Sequence, residues 1–141
     1  MSYLIYTDGG SRGNPGPSGA GACIINTEGV VIAEISEYLG IQTNNYAEYR
    51  SLYFALIKCT ELGINQHSIK VFMDSKLVIE QVSGRWKVKK DTLQVLHQEI
   101  KELLCFFKDI TFTHILRGIN KHADSLANKA MDYGADKDIK N

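Results

Sequence analysis

Ala20-Gly21-Ala22-Cys23-Ile24-Ile25-Asn26-Thr27-Glu28-Gly29-Val30-Val31-Ile32-Ala33-Glu34-Ile35-Ser36-Glu37-Tyr38-Leu39 holds two apolar runs, residues 20–26 and 30–39, split by Thr27-Glu28-Gly29. A three-residue connection between such runs makes an antiparallel hairpin. Ahead of it, Tyr3-Leu4-Ile5-Tyr6-Thr7-Asp8 is aromatic and β-branched and reads as a strand. Residues 9–19 contain five Gly and two Pro, which predicts a loop. Downstream the period changes from two to 3.6. Tyr49, Leu52, Tyr53, Leu56 and Ile57 mark a helix over residues 44–62, capped by Asn44 or Asn45 and followed by Gly63. A fourth strand at 68–74 places Ile69, Val71 and Met73 on one face. Asp74 or Ser75 then caps a short helix ending near Gly84. A further helix over 91–107 carries the stripe Leu93, Leu96, Ile100, Leu103 and Leu104. A strand at 110–116 and a helix at 123–131 complete the order βββαβααβα. A meander followed by alternating strands and helices predicts an α/β fold, a mixed sheet with helices on its faces.

The composition permits this. At 141 residues, 44% hydrophobic and 23% charged, the chain has an ordinary globular make-up, and residues 1–141 are expected to form one domain with a core over about 3–133. The polar tail from Gly134 is expected to fray. Cys23, Cys59 and Cys105 are odd in number and widely spaced, which argues against a disulfide framework or zinc site and fits small buried hydrophobes in a reducing cytoplasm. No leader segment and no membrane span is expected, and a monomer suffices. Sixteen basic and sixteen acidic residues give a formal charge of zero, which counts slightly against a nucleic-acid binder unless the basic residues share a face.

Four carboxylates stand out. Asp8 ends the first strand, Asp74 the fourth, and Glu48 and Asp124 lie in the first turns of two helices. Each alone has an ordinary explanation as a turn former, cap or partner of the helix dipole. If the two strands are parallel neighbours, their ends share one sheet edge, where α/β folds place ligands, and the two helix starts could reach the same point. Four carboxylates so close would repel and raise one another's pKa, and divalent cations with oxygen ligands would relieve this.

Residues 6–21, Tyr6-Thr7-Asp8-Gly9-Gly10-Ser11-Arg12-Gly13-Asn14-Pro15-Gly16-Pro17-Ser18-Gly19-Ala20-Gly21, are similar along their whole length to the opening motif of type 1 ribonuclease H. Thr43-Asn44-Asn45-Tyr46-Ala47-Glu48, Met73-Asp74-Ser75 and His122-Ala123-Asp124-Ser125-Leu126-Ala127 resemble its other three motifs, in order. The resemblance implies a ribonuclease H-like fold with a five-stranded mixed sheet. It implies that Asp8, Glu48, Asp74 and Asp124 bind two Mg²⁺ ions, with Mn²⁺ as a substitute. The activity it implies is that of a metal-dependent endoribonuclease, a phosphodiester hydrolase that cuts the RNA strand of an RNA–DNA hybrid to leave 5′-phosphate and 3′-hydroxyl ends. Glu48 would sit near the ribose 2′-hydroxyl. Thr43 and Asn14 match positions that hold a DNA-strand phosphate. Asn14, Asn44 and Asn45 offer donors and acceptors to the 2′-hydroxyl, and Gly9 and Gly10 permit close approach to the sugar.

The chain departs from many relatives in two places. Only Gly84-Arg85-Trp86-Lys87-Val88-Lys89-Lys90 stands where they carry a basic helical protrusion. Trp86, Lys87 and Lys89 are the expected substrate contacts there, by stacking and phosphate pairing. The loop before Asp124 is short, and Arg117 is expected to take part of the role that a mobile His plays elsewhere. His122 reads as an exposed helix-start residue and His114 as structural. Lys76 is a candidate contact to the substrate backbone. The alternative is a catalytically impaired module of the same fold that binds hybrids or double-stranded RNA. The four intact carboxylates argue against it, because a binder has no use for them.

Overall fold

The computed structural model describes residues 2–140, with side chains described to residue 135. Met1 and Asn141, both inside the expected 1–141 domain, lie outside the described residues. The order is β1 (Ser2–Ser11), β2 (Gly16–Ile25), β3 (Val31–Gln42), α1 (Asn44–Glu61), β4 (Ser68–Met73), α2 (Lys76–Val82), α3 (Asp91–Leu104), β5 (Asp109–His114), a 3₁₀ turn (Arg117–Ile119) and α4 (Lys121–Lys140). The sheet runs β3-β2-β1-β4-β5, antiparallel from β1 to β3 and parallel through β1, β4 and β5. This is the five-stranded mixed α/β sheet expected from the sequence.

Three departures have physical causes. The expected loop over 9–19 shrinks to residues 12–15, because Gly9, Gly10 and Ser11 pair with Ala20, Gly19 and Ser18 and extend both strands. These glycines do not break the sheet; they make room against it. A Cβ on Gly9 would lie 2.2 Å from the Ala47 carbonyl carbon, and one on Gly21 would lie 2.3 Å from the Ala123 carbonyl oxygen. Close approach of a neighbouring backbone is the circumstance in which glycine persists inside a strand. Gly9 and its neighbour Gly10, which faces Met131, point to opposite faces, so α1 and α4 cover the two sides of the sheet.

The second departure is at the N-terminus of α1. Thr43, not Asn44 or Asn45, is the cap, its hydroxyl accepting from the Tyr46 amide at 3.2 Å. Asn44 is otherwise engaged, its Oδ1 accepting from the Ser11 amide at 2.8 Å. The third is α4, which begins at Lys121 and continues past Gly134 to Lys140 where a frayed tail was expected. Gly134 seats this helix against Tyr38, whose ring would be 2.1 Å from an added Cβ.

The core lies between the sheet and α1 with α3. Ile5, Ile69, Val71 and Met73 pack there with Tyr49, Leu52, Leu56, Leu96 and Ile100. Burying each such side chain contributes about 1.5–3 kcal/mol. Cys23 and Cys59 are buried as expected, but Cys105 is exposed at the end of α3, outside its apolar stripe. Burial pushes the Cys23 thiol up to about 11 and that of Cys59 up to about 12. Among the described residues no helix is long and apolar enough to cross a membrane.

Candidate active site

The parallel pairing of β1 with β4 aligns Thr7 with Met73, so the next residues, Asp8 and Asp74, emerge side by side at the carboxyl end of β4. The missing Cβ of Gly9 lets the first turn of α1 settle onto β1, and the Gly9 amide donates to Glu48 Oε1 at 2.7 Å. Carboxylate oxygens of Asp8, Glu48 and Asp74 all lie within 4.8 Å of one another. The fourth carboxylate arrives on α4. Gly19 and Gly21 admit that helix to backbone distance, and Asp124 lines the same cleft as Asp8, close enough for its charge to act on the Asp8 carboxyl. The start of α4 is pinned by Asn120, which is buried. Its Nδ2 donates to the Thr7 carbonyl at 2.8 Å, and its own carbonyl accepts from the Asp124 amide at 3.1 Å.

The electrostatics follow from this crowding. Burial pushes the Asp8 carboxyl up to about 7, partly opposed by a hydrogen bond with Glu48, while the charges of Asp74 and Asp124 add to the rise. Glu48 is held well above the carboxylate range by burial first and by Asp8 second. Its Oε2 is buried without a hydrogen-bond partner. Buried polar atoms are normally satisfied, so an unpartnered carboxyl oxygen in a cluster of three carboxylates within 4.8 Å is suited to a cation.

The four carboxylates open into a cleft of about 470 Å³, lined also by Gly9, Gly10, Ser11, Asn44, Arg117 and Arg12. The expected site residues thus divide. Asp8, Glu48, Asp74, Asp124, Arg117, Gly9, Gly10 and Asn44 share this cleft. Asn45, Trp86, Lys87 and Lys89 line a second groove of about 560 Å³ with Gln81, Arg85 and Lys90. Thr43, Asn14 and Lys76 are exposed and line neither. Asn14 Oδ1 accepts from the Asn44 amide at 3.1 Å, which ties the β1–β2 turn to α1. An added Cβ on Gly9 would meet the backbone of α1, so its lack of a side chain serves helix packing, while Gly9 itself still lines the cleft.

Of the histidines, His122 is exposed and pairs with Glu34, and His114 Nε2 lies 3.3 Å from the Asp74 carbonyl oxygen. Residues the sequence reading passed over include Asn120 and Gln81. Asn120 stands immediately ahead of a helix, which is a capping signal. Gln81 is buried at the floor of the second groove. It accepts from the Tyr49 hydroxyl at 2.5 Å and donates to the Lys87 carbonyl at 3.3 Å. No spacing in the sequence marks it.

A family model described as reverse transcriptase-like matches residues 6–130. A bifunctional protein of Mycobacterium tuberculosis is 46% identical over 136 residues, covering 96% of this chain and 37% of its own length. The structure of its N-terminal ribonuclease H domain superposes with a TM-score of 0.88 at 45% identity, over 93% of this chain and 99% of that one. Ribonuclease HI of Halobacterium salinarum is 39% identical over 127 residues, 90% of this chain and 63% of its own. The compost-derived LC11 ribonuclease H1, solved in complex with an RNA/DNA hybrid, gives a TM-score of 0.89 at 39% identity, over 94% and 99% of the two chains. This chain belongs to the type 1 ribonuclease H family. It spans between about a third and two thirds of the length of these two longer relatives.

Proposed function

We propose that this chain is an endoribonuclease that hydrolyses the RNA strand of RNA–DNA hybrids with two Mg²⁺ ions, or Mn²⁺ in their place, leaving 5′-phosphate and 3′-hydroxyl ends. The observation that carries it is the meeting of Asp8, Glu48 and Asp74 within 4.8 Å, with Asp124 beside Asp8, at the floor of an open cleft. The donor set is all oxygen, which suits hard divalent cations. Bound there, such cations activate water and neutralise charge on the leaving oxygen of a phosphodiester.

The chain's own residues do the rest. The Gly9 amide fixes one oxygen of Glu48 and leaves the other buried without a hydrogen-bond partner. Asn44 and Asn45 stand where polar atoms can read a 2′-hydroxyl, which separates RNA from DNA without reading bases. Asn14 and Thr43 face the DNA strand, and Lys76, at the start of α2, contacts the substrate backbone. Trp86, Lys87 and Lys89 grip the hybrid by stacking and charge. Arg117 stands at the cleft and assists turnover. All four carboxylates come from one chain, which supports action as a monomer. We read residues 1–141 as one catalytic domain, and its three free thiols support a cytoplasmic setting.

The test uses a labelled hybrid in Mg²⁺, with EDTA and Asp8→Asn as controls and RNA duplex, DNA duplex and single-stranded RNA alongside. Cutting confined to the RNA of the hybrid, and lost with EDTA and in the variant, is expected. Hybrid binding with no cutting in Mg²⁺ or Mn²⁺ would put the binding module in its place.

A further inference from the structure

Substrate approaching this cleft is a polyanion meeting four carboxylates, so cations on the rim must draw it in. Among the described residues, two guanidinium groups line the cleft, those of Arg117 and Arg12. Arg12 has no part in the reading above. It sits in the turn between β1 and β2, and the backbone there is fixed from three sides. The Arg12 amide donates to the Pro17 carbonyl at 2.8 Å, the Ser11 amide to Asn44 Oδ1 at 2.8 Å, and the Asn44 amide to Asn14 Oδ1 at 3.1 Å.

Only the side chain is left to move. Its Nη2 lies 2.6 Å from Asp132 Oδ1 and 3.5 Å from the Asn128 carbonyl oxygen, both on α4. Asn128 lines the cleft with Arg12, and Asp132 stands outside it. The side chains of Arg12 and Asp132 are 43% and 68% exposed. An ion pair so wet contributes little to stability, commonly under about 1 kcal/mol. A planar guanidinium fork accepts a phosphate in the same geometry as a carboxylate.

We infer that Arg12 is a substrate contact, its guanidinium taking a backbone phosphate of the RNA strand beside the four-carboxylate cleft, with Asp132 as the intramolecular anion that this phosphate displaces. The inference rests on the hybrid-cleaving reading and adds a residue to it. It also separates itself from the plain alternative, in which the pair braces the turn against α4. A brace loses the same thing whichever partner is removed. A competitor gives opposite signs: removing Arg12 weakens binding, and removing Asp132 strengthens it.

The experiment measures dissociation constants for a fluorescent RNA–DNA hybrid in EDTA, across a salt series, for the parent, R12Q, D132N, the double variant, and D109N. The last removes an equal charge at the start of β5, the opposite end of the sheet. R12Q is expected to bind about three- to tenfold more weakly and to flatten the log–log salt slope by about one. D132N is expected to bind about two- to fivefold more tightly, as loss of a competing anion on one phosphate contact allows. That gain should vanish in the R12Q background and be absent in D109N. Weakening by both single variants, or no change in either, overturns the role given to Arg12. A D132N gain that survives in R12Q, or is matched by D109N, overturns it too. A parent that neither binds nor cuts the hybrid removes the underlying reading and Arg12's role with it. Parental cutting with unmoved variants removes the role of Arg12 alone.

Discussion

Asp8 is the residue on which the site turns. Its carboxyl sits at about 7 in the fold against an ordinary 3.8. Below about pH 4 the group is protonated in both folded and unfolded chains, and above about pH 7 it is ionised in both. Between these limits the unfolded chain gives up the proton and the folded one keeps it. The stability that Asp8 contributes is therefore present at low pH and is lost as the pH rises through that window, and Glu48 acts in the same direction. In EDTA, the difference in Tm between the parent and Asp8→Asn should favour the variant more at about pH 8 than at about pH 5.5. Thermal denaturation at the two pH values checks it, and a parent that gains on the variant as pH rises would contradict it. Mg²⁺ should raise the parental Tm more than that of the variant, because it supplies the charge the site lacks.

At the scale of elements, the site depends on helices brought to backbone distance from strands. Gly21 is the strictest of these contacts on α4: an added Cβ would stand 2.3 Å from the Ala123 carbonyl oxygen and 2.5 Å from the Ala127 amide. Backbone cannot give way as a flexible side chain can. Gly21→Ala should destabilise the fold by about 1–3 kcal/mol, as overpacking does. It should also lower kcat for hybrid cleavage, because the helix pushed outward carries Asp124. Denaturant melts and steady-state kinetics measure the two effects, and a variant with parental stability would show that α4 docks more loosely than this contact implies.

The same glycines show how far the sequence could be read. Periodicity placed α1, β4 and α3, because burial of a face is a local pattern, while composition, turn residues and capping signals placed the other strands and helices. It did not reveal that Gly9 and Gly10 belong to β1, since glycine carries no periodic signal and its reason for being there lies on α1 and α4, far along the chain. The four carboxylates were legible as a set through their motifs, and the parallel neighbourhood of β1 and β4 brings them together. Asn120 and Gln81 escaped because a buried amide is defined by what it bonds to, and those partners, the Thr7 carbonyl and the Tyr49 hydroxyl, are known only once the chain is folded.

The whole molecule carries no net formal charge, and few of its basic residues line the two grooves. Lys87, Lys89 and Lys90 line the second groove, while Arg85 in the same groove is held by Glu80 at 2.7 and 2.9 Å. Each phosphate neutralised contributes about 0.9 to the salt slope, so three to five contacts predict a log–log slope of roughly −3 to −4.5. That is shallow for a nucleic-acid enzyme and should accompany weaker hybrid affinity than in relatives with a basic protrusion. Titration of hybrid binding from low to moderate salt tests it, and a slope twice as steep would mean that basic residues beyond Lys76 and those of the two grooves also engage the substrate.

The docking of α4 against Gly19 and Gly21 also has a meaning in time. A ribosome releases this chain from its first residue onward, and Asp8, Glu48 and Asp74 emerge well before residue 121, where α4 begins. The nascent chain carries three of the site's four carboxylates while the helix bearing the last is still inside the exit tunnel. The four carboxylates can meet only after residue 124 has left the tunnel, and a message truncated before α4 yields a protein that lacks Asp124.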